Sequence, residues 1–235
     1  MADLNIDDIL LEYDESSNKE YKKLRQGNLY DSLIQAMINE RMSPEILPYH
    51  ADLLREVLSQ LSTQQQHLLD SHEYGDMNAE SGVISDDFKL QLMIIETDIE
   101  RLNYLVRLYL RTRLSKLDKF TIHYINETDG DKSLLSAEEQ LYIHQHFKIV
   151  TQLYNNSFLK RLPHSLTLLD DTSGGQSMVV KPDLNQPVFI KACVTKPIVI
   201  SLGDDDELEL ERDGIYVVKY LLIRKYLEIG DVVLI

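Results

Sequence analysis

The residues of this chain whose types and spacing admit chemistry are two histidines, a run of carboxylates, a glycine pair, one cysteine and a helical row of arginines. A zinc site needs ligands converging on one side. His144 and His146 are two positions apart, about 200° around a helix, so they diverge. Asp204, Asp205, Asp206 and Glu207 are contiguous and lack the alternation and bidentate Glu of a calcium loop; they suit a solvated hairpin turn. Gly174-Gly175 lies in a polar stretch with no strand before it and no helix after it, so a phosphate cradle lacks its context. There is no Gly-x-Ser-x-Gly nucleophile elbow. Cys193, the single cysteine, reads as a small buried apolar residue of a strand. No catalytic set, metal or cofactor is expected from these residues.

The arginines belong to residues 96–120, ETDIERLNYLVRLYLRTRLSKLDKF. Arg107 and Arg111 are four apart and share a helical face, where they can form bidentate pairs with carboxylates across an interface. Alternatively, their stems cover apolar surface while the guanidinium groups reach water. The helix that carries them has one apolar stripe at Ile95, Ile99, Leu102, Val106 and Tyr109 and a second set at Leu105, Leu108, Leu110, Leu114 and Leu117. No glycine or proline interrupts residues 83–127. A helix of some 25 to 40 residues, rising about 1.5 Å per residue, outruns one small core and implies a partner subunit.

Composition narrows the class. With 24 Lys+Arg against 39 Asp+Glu and a formal net charge of -15, phosphate backbones repel the chain, so little direct nucleic-acid binding is expected. No membrane span or signal peptide is recognisable, and one cysteine suits a reducing, intracellular compartment. Residues 1–18 are acidic throughout, yet Ile6, Ile9, Leu10 and Tyr13 fall at i, i+3, i+4 and i+7. Asn5 can cap such a helix, with Asp7 and Asp8 in its first turn. The pattern is a portable amphipathic motif on an acidic tail, or a first helix folded on its own domain.

The fold class expected is α+β, a larger all-α helical domain followed by a small β-rich domain. Residues 1–17 are the flexible acidic tail, 18–162 the helical domain with an acidic loop at about 71–87, 163–186 a linker and 187–235 the β-rich domain. In the helical part, stripes run through Tyr30, Leu33, Ile34, Met37 and Ile38, then through Leu54, Val57, Leu58, Leu61 and Leu68, separated by Pro44 and Pro48. Ser136 and Glu139 have capping-box spacing, and Ile143, Phe147, Val150, Tyr154 and Phe158 follow on one face. Beyond the linker the period becomes two: Val188, Ile190, Ala192 and Val194, then Leu208 and Leu210 between glutamates. Gly203-Asp204 and Asp213-Gly214 are turns. Val232, Val233, Leu234 and Ile235 read as a buried terminal strand, because four exposed aliphatic residues invite aggregation.

The segment RLNYLVRLYLRTRLSKL, residues 101–117, and the block from Gly203 ending GDVVLI resemble the Sld-five subunits of the GINS complex, the four-subunit eukaryotic DNA replication factor. KPDLNQPVFIKA, residues 181–192, is a weaker third match. Two related subunits share this domain order and two have it permuted, so the arginine helix and the two ends of the chain carry the specific likeness. The resemblance implies a nuclear, non-catalytic scaffold in an obligate heterotetramer with three other GINS subunits. It implies a helicase with the MCM ring and Cdc-forty-five, in which ATP hydrolysis resides in MCM. Arg101, Tyr104, Arg107, Leu108, Arg111 and Arg113 are then the expected subunit interface. Asp7, Asp8, Ile9 and Leu10 stand where fungal members carry a peptide that binds the trimeric replisome hub tethering DNA polymerase alpha, with Ile6 and Tyr13 completing the apolar face. The alternative function is direct DNA binding through the same arginines; a stand-alone hydrolase would need His and carboxylate groups to converge in a pocket.

Overall fold

Apolar residues at helical spacing, and then alternating ones, build the expected helical part followed by a small antiparallel β part. In a computed structural model, which describes residues 29–78, 86–128, 134–163, 179–194, 197–203 and 206–235, the helices are α1 (Leu29–Met42), α2 (Ala51–Asn78), α3 (Asp86–Lys119), α4 (Thr121–Thr128) and α5 (Ala137–Ser157). A 3-10 turn (Leu159–Arg161) follows, then β1 (Pro187–Ala192), β2 (Ile198–Gly203), β3 (Asp206–Leu210), β4 (Ile215–Lys219), α6 (Tyr220–Ile229) and β5 (Val232–Leu234).

Described residues within 29–34 and 52–102 make one compact unit; those within 35–51 and 103–235 make the other. In the first unit Leu33, Leu54, Val57, Leu61, Leu92 and Ile99 are buried, each on its predicted or extended stripe, whereas Leu58 is exposed. The stretch expected as an acidic loop at 71–87 is shorter than the sequence suggests: α2 continues to Asn78 and α3 begins at Asp86. A lone Gly75 costs a helix only about 1 kcal/mol, which an established helix of 28 residues tolerates.

In the second unit the stripe of α3 continues through Val106, Tyr109 and Leu117, all buried. The helix breaks at Phe120, although no glycine or proline lies there. Just after the break the Thr121 hydroxyl donates back to Leu117 O at 2.7 Å and lies 3.0 Å from Asp118 O, an alternative to the helix ladder that Thr97 and Thr112 also use within α3 without breaking it. Ser136 caps α5 with both halves of the capping box in place.

The strands form a three-stranded antiparallel sheet ordered β4-β1-β5 and a β2-β3 hairpin. Val188 pairs with Val218, Ile190 with Tyr216 on one side and Leu234 on the other. Val188, Ile190, Ala192, Val218, Val232 and Leu234 turn inward against Tyr220, Ile223 and Leu227 of α6, with Ile200 and Leu210 of the hairpin and Leu47 from the α1–α2 connection in the same cluster. Asp213 takes φ 61 at the turn into β4. Its N–H and the Ala192 N–H bond across as a bulge, Asp213 N to Ala192 O at 2.9 Å and Ala192 N to Gly214 O at 3.0 Å. Gly230, at φ 89, closes α6 by donating to Tyr226 O and Leu227 O. Cys193 is exposed, contrary to expectation, because it lies on the opposite side of the chain from buried Ala192 and Val194. The Gly203-Asp204 turn lies partly outside the described residues.

Candidate functional site

Three helices of the second unit each place a charge on a core-facing position. On α1, Glu40 follows Met37; on α3, Arg113 stands between Tyr109 and Leu117; on α5, Glu139 precedes Ile143. All three charged side chains are buried, Arg113 at 0 % exposure. Arg113 Nε and one terminal nitrogen grip Glu139 at 2.7 and 2.9 Å. Its other terminal nitrogen bonds Glu40 Oε2 at 2.9 Å and Leu47 O at 2.6 Å, and a bond to Leu134 O at 3.1 Å completes the set. Five donors meet five acceptors, the full capacity of a guanidinium group. The Tyr49 and Tyr109 rings lie 5.3 and 5.7 Å from its Cζ and add cation–π attraction.

Lys116, one turn further along α3, ties the α1–α2 connection to this centre. Its Nζ bonds Glu40 Oε1 at 2.8 Å, Ser43 Oγ at 2.8 Å, Glu45 O at 2.7 Å and Glu40 O. Glu139 also has a second task, accepting Ser136 N at 3.0 Å as the capping-box carboxylate. The cluster therefore holds two cations and two carboxylates, so no buried charge stands alone. Burial works against the Arg113 charge, but Glu139 and Glu40 outweigh it and raise its pKa. For Lys116 burial prevails over Glu40 and lowers the pKa.

A relay of polar contacts continues to the β-rich part. Glu45 Oε1 accepts Tyr220 OH and Arg224 Nε, both at 2.8 Å. Burial first, and then the Glu45 charge, push the Tyr220 hydroxyl far above its ordinary pKa. At the outer edge of β5, Leu234 N donates to Asn39 Oδ1 at 3.0 Å, and Gln35 Nε2 donates to Asn39 Oδ1 at 2.8 Å and to Leu234 O at 3.3 Å. Two amides of α1 thus do for β5 what a neighbouring strand does. In this way the charges of Glu40, Arg113, Lys116 and Glu139 neutralise one another inside the chain.

One other grouping has catalytic residue types. Thr121 Oγ1 lies 3.2 Å from His146 Nδ1, and His146 Nε2 lies 3.8 Å from Asp118 Oδ1, at the rim of an apolar groove that includes Phe120, Phe147, Val150 and Phe158. The Asp–His separation exceeds a hydrogen bond, and the Thr121 hydroxyl is held by helix carbonyls. Asp118 instead accepts the Tyr142 hydroxyl at 2.7 Å and thereby raises the Tyr142 pKa. His144 points elsewhere and is exposed. Among the described residues no group of three or more His, Cys, Asp or Glu is placed to hold a metal ion, and no helix is long and apolar enough to cross a membrane.

The arginines expected to act together are divided. Arg113 is an internal structural residue, not an interface residue: it occupies the stripe that Val106, Tyr109 and Leu117 define, where an intrachain partner is obligatory. Arg101, Tyr104, Arg107 and Arg111 are exposed and Leu108 is half-buried; Arg101 makes a surface pair with Asp98 at 3.2 Å. Ile6, Asp7, Asp8, Ile9, Leu10 and Tyr13 lie outside the described residues. In the terminal strand Val232 and Leu234 are buried and Val233 half-buried, while Ile235 is exposed although its N–H reaches Phe189 O at 3.2 Å; alternation turns its side chain to the outer face. Tyr154 and Phe158 are likewise more open than their stripe predicts, at 39 % and 47 % exposure. Large apolar side chains at Leu141, Ile149 and Leu153 of α5 also face solvent. Sequence reasoning missed Glu40 and Glu139 as partners of Arg113, and Lys116 as a second partner of Glu40; charges on apolar stripes were the available signal.

Residues 49–158 match the family model for the GINS complex protein helical bundle domain, and residues 182–235 match the one for the DNA replication complex GINS protein SLD5 C-terminus. The chain is 67% identical to the DNA replication complex GINS protein SLD5 of Debaryomyces hansenii, with 99% of each chain covered. It is 31% identical to the protein of that name from Saccharomyces cerevisiae, covering 99% of this chain and 100% of the relative. The Schizosaccharomyces pombe relative is also 31% identical, over 88% and 92%. With both halves matched in order and similarity running nearly end to end, the chain belongs to the SLD5 family of DNA replication complex GINS proteins.

Proposed function

We propose that this chain is a non-catalytic structural subunit of a four-chain GINS assembly, nuclear, and part of the replicative helicase with the MCM ring and Cdc-forty-five. The observation that carries this reading is the contrast between its charges and its apolar surface. The ionic cluster is consumed internally, whereas Tyr104 on α3 and Leu141, Ile149 and Leu153 on α5 stand exposed on helices, as faces do that partner chains cover. Arg101, Tyr104, Arg107, Leu108 and Arg111 form the subunit-facing part of α3 in this reading. Co-expression with three sister GINS subunits tests it: a stoichiometric four-chain species is expected by size-exclusion chromatography with light scattering. A monodisperse monomer that ignores its sisters refutes it.

The amino-terminal segment docks, in the same proposal, into an apolar groove of the trimeric hub that links DNA polymerase alpha. Burying Ile6, Ile9 and Leu10 gains roughly 4 to 9 kcal/mol, from which ordering subtracts about 2 to 5, so one peptide binds at micromolar affinity or weaker and relies on avidity. A labelled peptide of residues 1–15 that binds the hub no better than its Ile9→Ala, Leu10→Ala form refutes the docking alone. Exposure of Arg107 and Arg111 favours a second reading, direct DNA binding. That reading requires an affinity for duplex that falls steeply with salt, against a net charge of -15.

A further inference from the structure

The three-stranded sheet has two edges, and the chain closes one of them. At β5 the outward N–H and C=O of Leu234 are taken by Asn39 and Gln35. At β4 the pairing parity decides which groups point out. Ala192 bonds Gly214 O across the bulge, and the register continues as Ile190 with Tyr216 and Val188 with Val218. The N–H and C=O groups of Ile215 and Val217 and the N–H of Lys219 therefore point away from the sheet, and among the described residues no strand or loop backbone takes them; the Lys219 C=O, at the N-cap of α6, starts the hydrogen bonds of that helix. The side chains beside this open row are apolar and uncovered, Ile215 at 67 % and Val217 at 56 % exposure, with Phe189 of β1 next to Val217 at 55 %. An antiparallel sheet normally turns a polar face to water. At the end of the row Lys219 is exposed and has no ion pair among the described residues.

We propose that the β4 edge receives an extended segment of a sister subunit as a fourth strand, apolar at alternate positions over Ile215 and Val217 and bearing a carboxylate opposite Lys219. Strand addition of this kind takes affinity from main-chain hydrogen bonds and specificity from alternate side chains. Charge complementarity argues against a second copy as the occupant: antiparallel self-pairing centred on Val217 sets Lys219 opposite Ile215, leaving both lysines without a carboxylate. The inference rests on the four-chain assembly proposed above.

Hydrogen exchange at single-residue resolution on the four-chain complex tests it. Tyr216 and Val218 amides are bonded to β1 in any case and serve as the internal reference. With a strand added, Ile215 and Val217 amides exchange within about tenfold of that reference; unpaired, they exchange about a hundredfold faster or more. Apolar packing on the face alone leaves the alternation in place, so it overturns strand addition. Val217→Pro removes an outward N–H that no intrachain bond uses; it should lower recovery of the complex about tenfold, while Val217→Thr, which keeps the donor, assembles normally. Assembly with fast Ile215 and Val217 amides overturns this inference and leaves the subunit reading standing. Failure of the four chains to associate overturns both. A species with two copies of this chain, lost in Val217→Pro, assigns the edge to self-pairing and overturns the choice of occupant.

Discussion

Replacing Arg113 by Met keeps much of its length and volume but removes every donor, and the consequences can be worked through group by group. Glu139 loses both of its short contacts to Arg113 and keeps the Ser136 N–H. Glu40 keeps Lys116 and the Leu47 N–H. The carbonyls of Leu47 and Leu134 lose their guanidinium donor. Breaking a buried ion pair from one side costs about 3 to 5 kcal/mol, against roughly 5 to 15 kcal/mol for the whole stability of a domain. For a chain of this size each kcal/mol moves the melting midpoint by about 2 to 4 °C, so a fall of roughly 6 to 20 °C is expected. Arg107→Met, on the exposed face of the same helix, should stay within about 0.5 kcal/mol. Thermal unfolding of both variants, purified with their sister subunits and followed by circular dichroism, makes the comparison. A third variant separates loss of a partner from loss of the site: exchanging Glu40, Arg113, Lys116 and Glu139 together for Met or Leu should restore most of the midpoint, because no charge of the cluster is then left stranded. An Arg113→Met protein melting within about 1 °C of wild type refutes the claim that this arginine holds the helices together.

Arg107→Glu combined with Arg111→Glu should reduce recovery of the four-chain complex while leaving helical content unchanged by circular dichroism; normal assembly would show that both guanidinium groups face water. Burial pushes the Tyr109 hydroxyl up to about 12 and raises that of Tyr220 as well. The folded state holds these protons more tightly, so their contribution is complete below pH 10 and is lost as pH rises from 10 towards 12. Absorbance at 295 nm should show both ionising together with unfolding, and Tyr109→Phe should shift the alkaline transition. Removing residues 232–235 should expose the core of the β-rich part, with buried Val232 and Leu234 each worth about 1.5 to 3 kcal/mol. Unchanged resistance to limited proteolysis would contradict this. Asn39→Ala removes the acceptor of both Leu234 N and Gln35 Nε2 and should lower the midpoint by about 2 to 8 °C, at roughly 1 kcal/mol for each hydrogen bond; a neutral result would mean that water replaces the amide.

Local regularities were legible because they depend on neighbours in the chain. The stripe through Ile99, Val106 and Tyr109 follows helical spacing, and Ser136 with Glu139 satisfies the first turn of α5 at a separation of three residues. The glutamates flanking Leu208 and Leu210 declare an inside and an outside. The same periodicity sets Arg113 in line with Val106, Tyr109 and Leu117, and Glu40 in line with Leu33 and Met37, a signal that the expectation of an interface arginine passed over. An arginine on an apolar stripe demands a buried acid, but spacing alone does not say which.

That choice was made by tertiary structure. Arg113 meets Glu40 across 73 residues and Glu139 across 26, and Asn39 meets Leu234 across 195; no local pattern encodes such pairings. Whether Arg107 is buried or wet depends on what packs beside α3, and the exposure of Ile215 and Val217 depends on which faces of the sheet α6 and the hairpin cover. From the sequence alone came the helical and strand periods, the orientation of most side chains and, by resemblance, the family. Only the folded chain decided which charges neutralise one another and which apolar faces remain open, because burial and pairing are properties of surfaces brought together from distant parts of the chain.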